Sequence, residues 1–252
     1  MHLCLPALAL LSIPVSFFAQ PAGKPGEKPG TAKPSSTTPA MADLKSTTPE
    51  LHTGTEARHE RFNQISKEGK AKLVFLGDSI TQGWENPGNE TWAKHYAHRD
   101  AANFGISGDR TEHALWRLDH GNFDGLSPKL IVIMIGTNNM GNQTEEAIAA
   151  GNKAILDEIQ KKHPQAKILL LGIFPRSPKA GDPVRAKIKK TNEMLAKFDD
   201  GKTVKYLDIG EKFLDKDGNL SKDIMPDYLH LSKKGYHIWA EAIEEDLGKM
   251  VK

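Results

Sequence analysis

Leu73-Val-Phe-Leu-Gly-Asp-Ser-Ile80 is a run of large apolar side chains that stops abruptly at Gly77-Asp78-Ser79. An uninterrupted apolar run closed by glycine reads as a strand buried on both faces, as in parallel sheets. This first strand is expected over Ala71–Gly77, and the runs Asn103–Ile106, Leu130–Ile135, Ile168–Ile173 and Val204–Ile209 read as four more. Amphipathic patterns around them predict helices over Glu56–Lys70, Thr111–His120, Thr144–His163, Asp182–Phe198 and Ser232–Met250. The last carries Tyr236, Trp239, Ile243, Leu247 and Met250 at helical spacing, which makes one apolar stripe. Regular alternation of strand and helix predicts an α/β fold, a three-layer α/β/α sandwich. For five parallel strands the expected order is flavodoxin-like.

The rest of the 252-residue chain bounds the function. Its 34 basic and 32 acidic side chains leave a formal charge of +2, so no electrostatic footprint for nucleic acid or an anionic membrane is present. Residues 3–19 form an apolar stretch too short and too proline-interrupted for a membrane span. Residues 1–19 therefore read as a secretory signal, with an uncleaved anchor as the alternative, because no Lys or Arg precedes the apolar stretch. Residues 20–50 are rich in Pro, Lys, Gly, Ser and Thr and read as a disordered tether. Residues 51–252 are then one folded domain, and the expected location is secreted, periplasmic or in the cell envelope. Cys4, the only cysteine, lies in the leader, so the mature chain has neither a disulfide nor a cysteine metal site.

In an open parallel sheet, ligands bind beyond the carboxyl ends of the strands. The first strand delivers Ser79 there, the second Gly105-Ile106-Ser107-Gly108-Asp109, and the third Gly136-Thr137-Asn138-Asn139. Asp227 and His230 stand three residues apart just before the last helix. A serine hydroxyl becomes a nucleophile when a base takes its proton, and the base needs an acid to orient it. Ser79, His230 and Asp227 are the candidates for those roles. The Ser79 N–H, the Gly108 N–H and the Asn138 side-chain amide are candidate donors to a developing oxyanion.

Gly77-Asp78-Ser79, Gly108, Gly136-Thr137-Asn138 and Asp227-x-x-His230 resemble the four sequence blocks of the SGNH (GDSL-type) esterase and acylhydrolase superfamily, in order and across nearly the whole folded part. The stretches Asn103-Phe-Gly-Ile-Ser-Gly-Asp-Arg110, Leu115-Trp-Arg-Leu118 and Gly136-Thr-Asn-Asn139 look closest to the platelet-activating-factor acetylhydrolase catalytic-subunit branch. The resemblance implies a flavodoxin-like sandwich, a Ser-His-Asp triad, ester hydrolysis and no cofactor. The leader and tether depart from that branch.

Several residues carry simpler readings. Asp78 is expected to bond nearby backbone amides, and Asn139 to form a turn. Asp109 and Arg110 either pair with each other, cap the next helix or support the oxyanion site. Trp116, Trp239 and Tyr236 are expected in the core, and Trp84 in the core or at the substrate. The histidines at 95, 98, 113 and 163 lack metal-ligand spacing, and Asp215-Lys-Asp-Gly218 reads as a tight turn. The function expected is an exported serine esterase for small acyl esters, most simply acetyl esters and including those of carbohydrates. The alternatives are a lysophospholipase, thioesterase or ether-phospholipid acetylhydrolase, and a catalytically silent carbohydrate-binding or scaffold module.

Overall fold

The computed structural model describes Met1 and residues 45–251. All of the expected leader but Met1, and most of the expected tether, lie outside the described residues. Helix α1 (Glu56–Glu68) leads into β1 (Leu73–Gly77), then come the one-turn helix α2 (Ser79–Gln82), α3 (Asn89–His95), β2 (Ala101–Gly105) and α4 (Thr111–Asp119). The chain continues through β3 (Leu130–Met134), α5 (Glu145–Lys162), β4 (Lys167–Leu171), α6 (Pro183–Leu195), β5 (Val204–Leu207) and α7 (Lys233–Met250). All strand pairs are parallel, in the order β2-β1-β3-β4-β5. This is the flavodoxin-like order expected from the sequence.

The period of two along each strand divides the core. Val74, Leu76, Ile131, Ile133, Ile168 and Leu170 face one side, with Phe62 of α1, Leu115 of α4, Ile155 of α5 and Leu195 of α6. Leu73, Phe75, Leu130, Val132, Leu169 and Leu171 face the other, with Trp239 and Ile243 of α7. Burying each such side chain is worth about 1.5–3 kcal/mol, so the two apolar faces are the main force joining the layers. Capping sets where the helices start. The Thr144 hydroxyl accepts from the Ala147 N–H at the start of α5, and the Ser232 hydroxyl accepts from the Gly235 N–H at the start of α7.

Three expectations are corrected, and one helix is added. Strand β2 starts at Ala101 rather than Asn103, because Ala101 and Ala102 pair with Leu73 and Val74 despite weak intrinsic strand preference. Helix α3 was not anticipated. Trp116 is half-buried, stacked on His120 at 3.9 Å and tilted on His59 at 4.9 Å, outside the core that holds Trp84, Tyr236 and Trp239. Residues 45–50, assigned to the tether by composition, are docked on the domain. Ser46 is fully buried, its carbonyl accepts from the Thr111 hydroxyl at 3.0 Å, and the Glu50 N–H donates to the Glu112 carbonyl at 3.1 Å. Docking here uses hydrogen bonds from small polar residues, so hydrophobic content gave no sign of it.

Candidate active site

Strand β1 ends at Gly77, where a side chain has no room: a Cβ would fall 2.1 Å from Thr81 Oγ1 and 2.4 Å from the Met134 carbonyl oxygen. The next residue, Asp78, caps α2, its Oδ1 accepting from the Ile80 N–H at 2.9 Å. Asp78 is fully buried, and burial pushes its carboxyl up to about 7. The neighbouring Asp109 charge adds to that rise, while the Ile80 N–H and Arg176 oppose it. Asp78 thus has the structural role expected of it. Ser79 begins α2 directly at the strand tip.

The Ser79 hydroxyl lies 2.9 Å from Nε2 of His230. On the far side of the ring, Nδ1 of His230 lies 2.7 Å from Oδ2 of Asp227. The other carboxylate oxygen of Asp227 accepts from the backbone N–H groups of His230 (2.7 Å) and Leu229 (3.0 Å). Burial alone would raise the Asp227 carboxyl. The His230 side chain and the two backbone donors outweigh it and hold the group below its usual range. A charged carboxylate only accepts, so the Asp227-facing Nδ1 carries the proton and Nε2 is free to accept from Ser79. Tyr228, between them, adopts the left-handed conformation (φ +59°), and its carbonyl accepts from the Ser177 N–H at 2.9 Å. The base therefore stands on a turn tied to the loop after β4.

The loops after β2 and β3 flank Ser79 because both strands pair with β1, with Gly77 in register with Gly105 and Met134. Gly108 has φ +82° and is exposed. Asn138 lies on a 3-10 turn (Thr137–Asn139), its Nδ2 donating to the Asp109 carbonyl at 2.9 Å. An amide NH₂ has two hydrogens, so one remains for a ligand. The fold thus brings Ser79, Gly108, Asn138, Asp227 and His230 to one end of the sheet. Beside the Ser–His–Asp chain, a cleft of about 550 Å³ is lined by Met140, Arg176, Tyr228, Leu229 and Asp227. His230 and Asp227 remain 45% and 55% exposed, so the site is open to a bulky partner.

Some contributors were not singled out from the sequence. Arg117 is fully buried and ties the strand ends together: it reaches Oδ2 of Asp109 at 2.8 Å, the Phe104 carbonyl at 3.2 Å and Oδ1 of Asn122 at 3.0 Å. Asp109 and Arg110 do not pair with each other. Asp109 takes Arg117 and His52, and the Arg110 N–H at the start of α4 donates to Nδ1 of His113 at 3.1 Å. Asn139 does more than turn the chain. Fully buried, it donates to Oε2 of Glu112 at 2.9 Å and Oε1 of Gln143 at 2.6 Å. Among the described residues the fold also makes two groupings of potential metal ligands that sequence spacing did not reveal: His52, Asp109 and His113, and His95, His237 and Glu241. In the first, the Nδ1 atoms of both histidines are already used by Asp109 and the Arg110 N–H. Among the described residues no helix is long and apolar enough to cross a membrane.

With a hydroxyl, a base and an acid in one hydrogen-bonded line, and amide groups beside them, the arrangement is suited to acyl transfer. Residues 75–238 match the GDSL-like Lipase/Acylhydrolase family. The chain is 38% identical over 179 residues to platelet-activating factor acetylhydrolase IB subunit alpha1 of Homo sapiens, which covers 71% of this chain and 76% of that protein. It is 40% identical over 181 residues to the alpha2 subunit of Rattus norvegicus, covering 71% and 77%. A solved GDSL-like lipase from Bacteroides thetaiotaomicron superposes with a TM-score of 0.61 at 21% identity, over 77% of this chain and 98% of that one. An acetylxylan esterase from Geobacillus stearothermophilus superposes with a TM-score of 0.56 at 20% identity, over 71% and 94%. The two superpositions are likenesses of fold, whereas the sequence matches are long and strong enough to place the chain by descent. The protein belongs to the GDSL-like lipase/acylhydrolase family and is a carboxylic ester hydrolase.

Proposed function

We propose that this protein is an exported serine esterase that removes small acyl groups, most simply acetyl, from carbohydrate esters, with Ser79, His230 and Asp227 as its triad. The observation that carries the mechanism is the continuous line Ser79 Oγ–His230 Nε2–His230 Nδ1–Asp227 Oδ2, at 2.9 and 2.7 Å. In the reading offered, Ser79 Oγ attacks the acyl carbon while its proton passes to Nε2 of His230. The resulting oxyanion is held by the Ser79 and Gly108 N–H groups and the free Asn138 amide hydrogen. Collapse expels the alcohol, which takes the proton from His230, and a water then repeats the sequence to release the acid. Asp227 keeps the ring in the required tautomer and stabilises the imidazolium.

Acetyl is favoured by the names of the relatives, which are acetylhydrolases, and of the fold neighbour, an acetylxylan esterase. A carbohydrate alcohol is favoured by the open cleft, where Arg176, Tyr228 and Asp227 offer polar contacts and an aromatic face. Export is read from the apolar residues 3–19. The second reading, an ether-phospholipid acetylhydrolase, draws on the 38–40% identity to the platelet-activating factor enzymes. Purified protein should hydrolyse p-nitrophenyl acetate, with rates falling steeply as the acyl chain lengthens. Acetylated oligosaccharides assayed beside short-chain acetyl phospholipids separate the two readings, since each predicts the higher kcat/KM for its own substrate.

A further inference from the structure

The segment before α1 builds one wall of the oxyanion site. Beyond the docked residues Ser46 and Glu50, His52 directs Nδ1 to Oδ1 of Asp109 at 2.8 Å. Asp109 is completely buried, and its other oxygen takes the buried guanidinium of Arg117 at 2.8 Å. A carboxylate is an acceptor only, so Nδ1 of His52 is the donor. The His52 ring stacks on His113 at 4.4 Å and 21°. Nδ1 of His113 accepts from the Arg110 N–H, and burial pushes that imidazole's pKa down, so the supporting ring stays neutral. The edge of His52 also covers Gly108: a Cβ added there would meet His52 Cε1 at 2.9 Å.

Asp109 is the hub of two of the three oxyanion donors. Its main chain directly follows Gly108, and its carbonyl holds Nδ2 of Asn138 at 2.9 Å. Fixing the Asp109 side chain therefore fixes both the direction of the Gly108 N–H and the rotamer of Asn138. Arg117 grips it from inside the domain, and His52 grips it from the solvent side. We propose that His52 is a positioning residue for ester hydrolysis, clamping Asp109 so that the Gly108 and Asn138 donors are preset for the oxyanion. This inference rests on the proposed oxyanion hole. It adds a residue that precedes the family match at 75–238.

The test compares the full chain, Ser79→Ala, His52→Phe and His52→Asn on p-nitrophenyl acetate, with thermal unfolding of each. Phe keeps the ring and its stack but lacks the donor. Asn places an amide N–H near the position of Nδ1. Because the oxyanion exists only in the transition state, His52→Phe should lower kcat about 10–100-fold with KM nearly unchanged, a partial loss of preset donors. His52→Asn should recover most of that loss. Three results overturn the inference while leaving the esterase reading intact: full kcat in His52→Phe, equal impairment of both variants, or a loss confined to KM. If His52→Phe fails to fold, His52→Ala with added imidazole decides: recovery of kcat supports the clamp, and no recovery overturns it. A folded but inert wild-type chain removes the esterase reading, and the clamp with it.

Discussion

The hydroxyl of Tyr236 donates to the carbonyl of Ile80 at 2.6 Å. One residue belongs to the helix that follows His230, the other to the turn that begins at Ser79, and 156 positions separate them in sequence. The bond sits within the aromatic group of Phe75, Trp84, Trp92, Tyr96 and Trp239. Burial raises the phenol pKa, so the hydroxyl remains a donor through the physiological range. Tyr236→Phe should cost about 0.5–1.5 kcal/mol in urea unfolding, the usual worth of one hydrogen bond. It should also lower kcat a few-fold, because the Ser79 turn loses its tie to α7.

Asn138→Ala removes a neutral donor from the proposed oxyanion hole. Steady-state kinetics should show kcat falling about 10²–10³-fold with little change in KM, the usual effect of losing one such donor. Gly108→Ala should be worse for folding. Its φ of +82° disfavours any L side chain, and the new methyl would meet His52 Cε1 at 2.9 Å. A melting temperature reduced in Gly108→Ala but preserved in Asn138→Ala would separate backbone strain from loss of a donor.

Asp78 should leave a mark on pH dependence. Its carboxyl is raised from an ordinary 3.8 to about 7 by burial. Between those values the folded state binds more protons than the unfolded chain, so stability falls as pH rises through the window. Asp78→Asn removes the titration while keeping an oxygen for the Ile80 N–H. Urea unfolding at several pH values from 4 to 8 should show a flatter profile in the variant, with its advantage over wild type growing toward pH 8. The full swing is on the order of a few kcal/mol.

Arg117 should be among the most sensitive positions for stability. Arg117→Ala leaves the fully buried Asp109 without its guanidinium and frees the Phe104 carbonyl. Removing one partner of a buried ion pair costs about 3–5 kcal/mol. Chemical denaturation should show a loss in that range, together with a loss of activity through the Gly108–Asp109 segment.

How much was legible in the sequence follows from what kind of force holds each part. Leu73–Leu76 and Leu130–Met134 declare themselves because burial on both faces demands unbroken apolar runs. Ser79, Gly108 and Asn138 could be named as candidates because strand ends in a parallel sheet share one edge, whatever their separation along the chain, and Asp227 and His230 because they stand three residues apart just before the last helix. Residues tied by side-chain hydrogen bonds across long separations left no periodic trace. His52 meets Asp109 across 57 positions, and Asn139 meets Glu112 across 27. Arg117 appeared in the sequence only as part of Leu115-Trp-Arg-Leu118, and the fold shows that it is buried. Ser46 and Glu50 were hidden by composition, since a Ser/Thr/Pro stretch can dock through its backbone as readily as it can remain a linker.

The most direct test of the account is the rate of p-nitrophenyl acetate hydrolysis by the wild-type chain and by Ser79→Ala, each also exposed to a fluorophosphonate probe. A Ser79 nucleophile predicts measurable turnover and covalent labelling of Ser79 in the wild type. It predicts a loss of about 10⁴-fold or more in Ser79→Ala, as expected when the nucleophile of a triad is removed, with no labelling. Wild-type turnover that survives intact in a folded Ser79→Ala would contradict it.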